Sequence, residues 1–296
     1  MAEGLLERFA EIKVWTRGDE RAPHKPLLIL LALGAVQRGE PRLLAYADVD
    51  AKLRALLEEF GPVRKTQHPE YPFWHLLADG IWDLQGFDVR AVREKGTSPS
   101  RRKLLDSNVH GGFTESTYQE LRRDPRLLSA VAYEILDSSF PESLHQDIEA
   151  AVGLDLTVVG AASRRKARDP SFRDRVLIAY ESRCTVCGFS ARIQNTLVGL
   201  EAAHIKWHQA GGPDAETNGL ALCVLHHKLF DRGAFTVAES RRVEVSQLVT
   251  GGPVTENWLL AFHGRSLRDP QSSRYRPDSQ FIDWHRREVF RSPARE

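Results

Sequence analysis

The chain is poor in cysteine: Cys184, Cys187 and Cys223 are the only three in 296 residues. So sparse and odd a count excludes a disulfide framework and points to a reducing compartment, the cytoplasm. Long apolar runs are missing too. The longest, Leu27 to Val36, spans ten residues, half of the ~20 a bilayer crossing needs, so a buried helix is expected there and no membrane span. The opening MAEGLLERFAEIK interleaves charges with apolar residues and lacks the h-region of a secretory signal. Nor does charge of one sign dominate. Lys and Arg number 41 against 40 Asp and Glu, leaving +1, which argues against a uniformly basic nucleic-acid binder. With 42% apolar and 27% charged residues, the composition excludes disorder, collagen and coiled coil.

What is present is unevenly spread. The length suits two domains of roughly 150 residues each. Residues 1–152 hold 20 Lys and Arg against 24 Asp and Glu, and residues 153–296 hold 21 against 16. The change falls at GLDLTVVGAASRRKARDP. A linker is therefore expected at 153–169, between domains at 1–152 and 170–296. Its basic cluster (Arg164, Arg165, Lys166, Arg168) reads either as a solubilising linker or as a phosphate contact. The first domain reads as α+β and helix-rich. Helices are expected near 3–14, 26–38, 48–60 (capped by Asp48), from Thr114 to Asp124, from Pro125 onward and from Pro141 to about 152. Tyr71–Leu76 reads as strand, turning at Asp79-Gly80 and returning through Ile81–Leu84. The second domain opens with a helix over Pro170–Tyr180, followed by short apolar strands.

All three cysteines belong to one pattern. Cys184-Thr-Val-Cys187 is matched by Cys223-Val-Leu-His226, and Gly188 suits a tight knuckle turn. Two half-sites of two ligands each are the usual frame of tetrahedral structural zinc. A loop-rich domain of this size would depend on it to fold.

Between and beyond the half-sites run Val198-Gly-Leu-Glu201-Ala-Ala-His204, then Asp214-Ala-Glu-Thr-Asn218-Gly, then His226-His227-Lys-Leu-Phe-Asp231. The series His204, Asn218, His227, interleaved with the zinc positions, resembles the HNH (ββα-metal) nucleases in their zinc-bearing McrA-like branch, over about 170–240. The resemblance implies His204 as general base, Asn218 as the residue tying the loop to the base-bearing strand, and His227 at a catalytic divalent cation, Mg or Mn. Imidazole suits the first role because its pKa is near 6.5. His227 and Asp231 are four apart, hence on one helix face. Many relatives carry a second metal ligand just before the base. Ala203 stands there, so either Glu201, of the same strand parity, reaches the metal or a water fills the gap. His226 is given to zinc by its spacing from Cys223, with exchange between His226 and His227 left open. Trp258, Phe262 and Trp284 are expected to pack on this domain, and Arg276, Arg286 and Arg287 to line a DNA channel.

The first domain carries Arg21-Ala-Pro-His24-Lys25-Pro26, Tyr71-Pro72-Phe73-Trp74 and Gly80-Ile-Trp82. Over roughly 5–150 this is similar to the sulfur-binding domain joined to HNH nucleases in phosphorothioate-dependent, type IV-like restriction enzymes. The resemblance implies an apolar wall from Tyr71 and Pro72, and positive charge from Arg21, His24 and Lys25 for the modified phosphate. Sulfur is larger and less hydrated than oxygen, so an apolar cup accepts it more readily. His110-Gly-Gly reads as a further DNA-facing loop. Without the resemblance, Tyr71–Trp74 reads as ordinary core strand and His24-Lys25-Pro26 as a plain helix start. The expected protein is a cytoplasmic, homodimeric endonuclease acting on phosphorothioate-modified double-stranded DNA. The alternatives are an HNH nuclease reading methylated or other modified bases, with Trp74 or Trp82 stacking on a flipped base, and a non-catalytic zinc DNA-binding protein. A mildly acidic reading domain should bind unmodified duplex weakly.

Overall fold

A computed structural model describes residues 2–12, 18–86, 88–89, 98–157 and 170–296. The basic cluster at Arg164–Arg168 and most of the expected linker lie outside them. By its contacts the chain divides into two compact units. The first comprises Met1–Arg17, Arg21–Ser139 and His145–Arg164, and the second Gly18–Glu20, Phe140–Leu144 and Arg165–Glu296.

The first unit is built around the ten-residue apolar run. That run lies in the helix His24–Gln37, whose residues Pro26 to Val36 are all buried. A helix apolar on every side needs neighbours on every side. They are supplied by Tyr46–Phe60, Glu70–His75, Glu115–Arg123 and Pro125–Ser139, the last of which also carries Ala2–Ala10. A small antiparallel sheet carries His110–Phe113 in the middle, with Leu44–Ala45 on one side and Trp82–Gln85 on the other. Trp82, 2% exposed, meets Phe73 and Phe113 edge-on at centroid distances of 5.8 and 5.7 Å.

Three local expectations change. Tyr71–Leu76 is not strand: Glu70–His75 is α-helical and continues as a 3-10 turn, Leu76–Asp79. Aromatic density reads as strand, but Pro69 and Pro72 sit where a first helical turn has no use for their missing N–H groups. His110-Gly-Gly is not a loop but the central strand. A Cβ at Gly111 would run into the Phe73 ring and Leu84, and one at Gly112 into the Arg42 carbonyl. The two glycines therefore serve close packing. Asp48 sits inside the first turn of Tyr46–Phe60 rather than at its cap, which is Ala45.

The second unit begins with the helix Pro170–Ala179 and the hairpin Ala191–Ile193 with Thr196–Val198. Then comes the hairpin Leu200–His204 with Gly219–Cys223, and directly after it the helix Val224–Asp231. Val176, Ile205, Leu220, Leu222, Phe230, Phe235 and Val245 form its core, each 0% exposed. Trp284 is likewise sealed, whereas Trp258 is 43% exposed and does not join that core. Among the described residues no helix is long and apolar enough to cross a membrane.

The aromatic cluster gives a direct test of the first unit. Truncating a buried aromatic removes its transfer free energy and leaves a cavity. Trp82→Ala should lower unfolding free energy by about 3–5 kcal/mol, read by urea denaturation. A loss under about 1 kcal/mol would show that Trp82 is not a core residue.

Candidate active site and metal centre

One hairpin and one helix bring the second unit's candidates together. The register pairs Leu200 with Cys223 and His204 with Gly219. Both histidines of the His226-His227 pair lie on the helix that starts at Val224. Successive helical residues point about 100° apart, so the two side chains diverge.

His226 turns inward and is 0% exposed. Its Nδ1 lies 3.1 Å from Cys223 Sγ and 3.8 Å from Cys184 Sγ, and Cys187 Sγ is 4.0 Å from Cys223 Sγ. All four ligand atoms fall within 4.8 Å of one another. Tetrahedral zinc with sulfur at about 2.3 Å spaces its sulfurs about 3.8 Å apart, so the set fits the ion. Gly188, at φ +77°, makes the first knuckle, and its amide donates to the Cys184 carbonyl at 2.9 Å. His226 Nε2 donates to the Trp258 carbonyl at 2.8 Å, which fixes Nδ1 as the ligating atom. The electrostatics agree. Hydrogen bonds from Cys187 and Cys223 hold the Cys184 thiol far below the ordinary thiol range. Burial opposes charge on His226, yet the Cys184 and Cys187 sulfurs raise it to about 9. The neighbouring Cys184 and Cys187, together with burial, push the Cys223 thiol up, so the set carries its negative charge on Cys184, beside the raised His226.

His227 turns the other way. Glu201 Oε2 lies 2.7 Å from its Nδ1, and Asp231 Oδ2 lies 3.2 Å from its Nε2. Burial works against a charged ring, but Asp231 and Glu201 outweigh it and push His227 up to about 10. The His227 hydrogen bond holds Glu201 below its ordinary range. Burial would raise Asp231, but His227 keeps it low. The two carboxylates are oxygen donors of the kind a divalent cation takes, and the ring between them could join them as a ligand only after losing its proton. The two sit on opposite ring nitrogens, however, so the three ligands do not close on one point. Among the described residues only the cysteine–histidine cluster does that. Glu201 reaches His227 from its strand, while Ala203 is wholly buried.

His204 ends the strand Leu200–His204. Its ring stacks on Phe172, centroids 4.1 Å apart and planes 16° apart. Nε2 lies 2.7 Å from Asp214 Oδ1. Asn218 is fully buried. Its Oδ1 accepts from the Lys206 amide at 2.8 Å, and its Nδ2 donates to the Lys206 and Pro213 carbonyls at 3.0 Å each. It therefore staples both ends of the loop that leaves His204. Sequence reasoning missed Asp214, because nothing in a loop's spacing says which carboxylate folds back. Of the arginines expected along a channel, Arg276 pairs with Asp269, Arg286 with Glu244 and Arg287 with Glu288.

The first unit's candidates are less charged than expected. Burial, helped by His68 and Arg64, lowers His24 to about 4, so it is neutral at pH 7 and supplies no positive charge. Lys25 is held by Asp79 at 2.6 Å, with their side chains 14% and 8% exposed. Arg21 Nη2 donates to the Phe60 carbonyl at 2.6 Å. Pro72 is buried and Tyr71 is 48% exposed. Tyr71 stacks on His68 at 4.8 Å and meets His75 edge-on at 6.4 Å. His68, Tyr71 and His75 follow helical spacing, a signal legible in the sequence once the segment is read as helix. His110 stands outside this stack, its Nδ1 3.0 Å from the Asn108 carbonyl.

A hairpin and helix carrying His204, Asn218 and His227 beside a cysteine–histidine metal cluster define an HNH endonuclease domain, and a model described as HNH endonuclease matches residues 184–238. The chain belongs to the family described as ScoMcrA-like, DNA sulfur-binding domain, whose model matches residues 2–157. It is a DNA endonuclease with a sulfur-binding domain in front. Solved structures similar to it include the sulfur binding domain of SprMcrA complexed with phosphorothioated DNA (26% identity, 52% of this chain and 94% of that one, TM-score 0.44). Others are the corresponding ScoMcrA domain complex (23%, 50% and 94%, TM-score 0.42) and the modification dependent TagI restriction endonuclease (24%, 45% and 42%, TM-score 0.30). The comparison with curated proteins gives no match.

Two measurements follow. Elemental analysis should find about one zinc per chain, from four converging ligands. Cys187→Ser should lower that content and the melting temperature together. A folded, metal-free protein would refute the cluster. His24 gives a pH signature. Its folded pKa of about 4 lies below the ordinary 6.5, so its contribution is complete above pH 6.5 and is lost as pH falls toward 4. The loss is at most about 3 kcal/mol. His24→Gln should flatten the stability–pH curve across that window, read by urea denaturation at stepped pH. An unchanged slope would place the titration elsewhere.

Proposed function

We propose that the chain is a modification-dependent restriction endonuclease. Its first unit binds a phosphorothioate in duplex DNA, and its second hydrolyses a nearby phosphodiester with one divalent cation. The observation that carries the nuclease chemistry is the convergence of His204, Asn218 and His227 on one hairpin and its following helix. His204 accepts a proton from water as the water oxygen bonds to phosphorus and the bond to the 3′ oxygen breaks. Proton uptake from solvent then leaves 5′-phosphate and 3′-hydroxyl ends. Asn218 keeps the loop and the base-bearing strand in fixed relation. Glu201, His227 and Asp231 are the residues that would hold Mg or Mn, once the ring gave up its proton and the two carboxylates turned from opposite ring nitrogens toward one point. Bound there, the cation would supply charge neutralisation for the leaving oxygen.

Sulfur recognition draws its support from the family and from the chemistry of the exposed Tyr71 face, where apolar surface favours a poorly hydrated sulfur. With His24 neutral and Lys25 already paired, the reading relies on shape and polarisability more than on charge. The methylated-base alternative is less favoured: Trp74 and Trp82 are 7% and 2% exposed, so neither offers a face to a flipped base without unpacking the core. One catalytic set per chain suggests that a homodimer cuts both strands.

Three matched duplexes test the target: one phosphorothioate, one methylcytosine and one unmodified. Only the first should be cut efficiently, and equal cleavage of all three would sink the sulfur reading. His204→Ala should reduce cleavage by about 10²–10⁴-fold while leaving affinity for the modified duplex unchanged in a gel-shift titration.

A further inference from the structure

We propose that Asp214 is a positioning residue for cleavage: its carboxylate holds His204 by Nε2 and so fixes Nδ1 as the atom that accepts the proton of the attacking water. The proposal rests on the reading of His204 as the base.

A carboxylate is an acceptor only. Facing Nε2 at 2.7 Å, it requires that nitrogen to carry the hydrogen, and a neutral imidazole then has its acceptor lone pair on Nδ1. The pair is partly shielded, the side chains being 17% and 21% exposed. Phe172, stacked on the ring at 4.1 Å, sets its plane, so Asp214 has only the rotation within that plane left to fix. His208 also faces His204, edge-on at 6.1 Å.

Asp214 is itself held in place. Its carbonyl accepts from Arg175 Nη2 at 2.6 Å, and Arg175 Nε pairs with Glu216 Oε1 at 3.2 Å. On its other side, the Pro213 carbonyl accepts from the buried Asn218 amide at 3.0 Å. The Gly212 amide donates to the Trp207 carbonyl at 3.0 Å, and a Cβ on Gly212 would collide with the Lys206 carbonyl. The loop between the paired ends His204 and Gly219 is thus tied at several points and delivers one carboxylate to one ring nitrogen. Asn218 acts on the loop's main chain and Asp214 on the base itself, two tasks that the spacing of the His–Asn–His series does not separate. When the ring takes up the proton it becomes a cation, and the adjacent carboxylate stabilises it.

The test uses the full-length protein with Mg, a phosphorothioate duplex and single-turnover cleavage across pH, comparing Asp214→Asn, Asp214→Glu, His204→Ala and the His204→Ala/Asp214→Asn double variant. Asp214→Asn should slow cleavage by about 10- to 100-fold at the plateau. It should also move the rising limb of the pH–rate profile to lower pH, because a neighbouring carboxylate raises the basicity of the ring. Asp214→Glu should recover part of the rate and the wild-type limb. The double variant should be no slower than His204→Ala, since Asp214 acts only through His204. Melting temperature and zinc content, measured on each variant, separate this effect from misfolding. If Asp214→Asn folds poorly, the recovery by Asp214→Glu and the non-additivity of the double variant decide. His204→Ala inactive with Asp214→Asn unchanged in rate and pH limb would overturn the Asp214 role and leave the base standing. His204→Ala cutting at the wild-type rate would overturn the base, and with it this proposal.

Discussion

The antiparallel pairing of Leu200–His204 with Gly219–Cys223 is the constraint from which the second unit's chemistry follows. Its first rung sets Leu200 against Cys223, which brings the third cysteine to the Cys184–Cys187 knuckle. Its last rung sets His204 against Gly219, which closes the loop that carries Asp214 and Asn218. Leu220, Ala221 and Leu222 of the second strand are each 0% exposed. Both faces of Gly219–Cys223 are therefore covered, and a slip of one residue would set leucine where alanine fits and alanine where leucine fits.

Charge is managed differently in the two units. In the second, carboxylates surround His227 and sulfurs surround His226, and both rings are raised well above the ordinary histidine value. The sulfur set converges on one point, whereas the carboxylates are held apart on opposite nitrogens of the His227 ring. In the first, burial drives His24 down, and Asp79 neutralises Lys25. The basic residues of the Arg21–Lys25 segment are largely spent within the fold. The near-zero net charge of the whole chain therefore averages two strategies, one that holds cations and one that presents a nearly neutral surface.

Much of this was legible in the sequence. The apolar run Leu27–Val36, the Cys184/Cys187/Cys223/His226 spacing and the His204/Asn218/His227 order each correspond to a local period or a local pair, and each appears in the structure as a helix, a cluster and a hairpin with its helix. What was not legible depended on tertiary choice. The Tyr71–Trp74 segment has the aromatic content of a strand but the prolines of a helix start, and the prolines decide. Gly111 and Gly112 read as a loop because glycine permits one, whereas Phe73 and Arg42 had claimed the space their side chains would need. Asp214 finds His204 across a loop whose path no periodicity encodes.

The adjacency of His226 and His227 has an evolutionary consequence. A single helical turn carries His226 of the cysteine–histidine cluster and His227 between its two carboxylates, facing apart. Deleting one residue between Cys223 and His226 would bring His227 round to the sulfurs and Lys228 to the carboxylates, and inserting one there would leave Leu225 facing the sulfurs. The two clusters therefore share one register along the helix, and a change of length ahead of His226 reaches both at once.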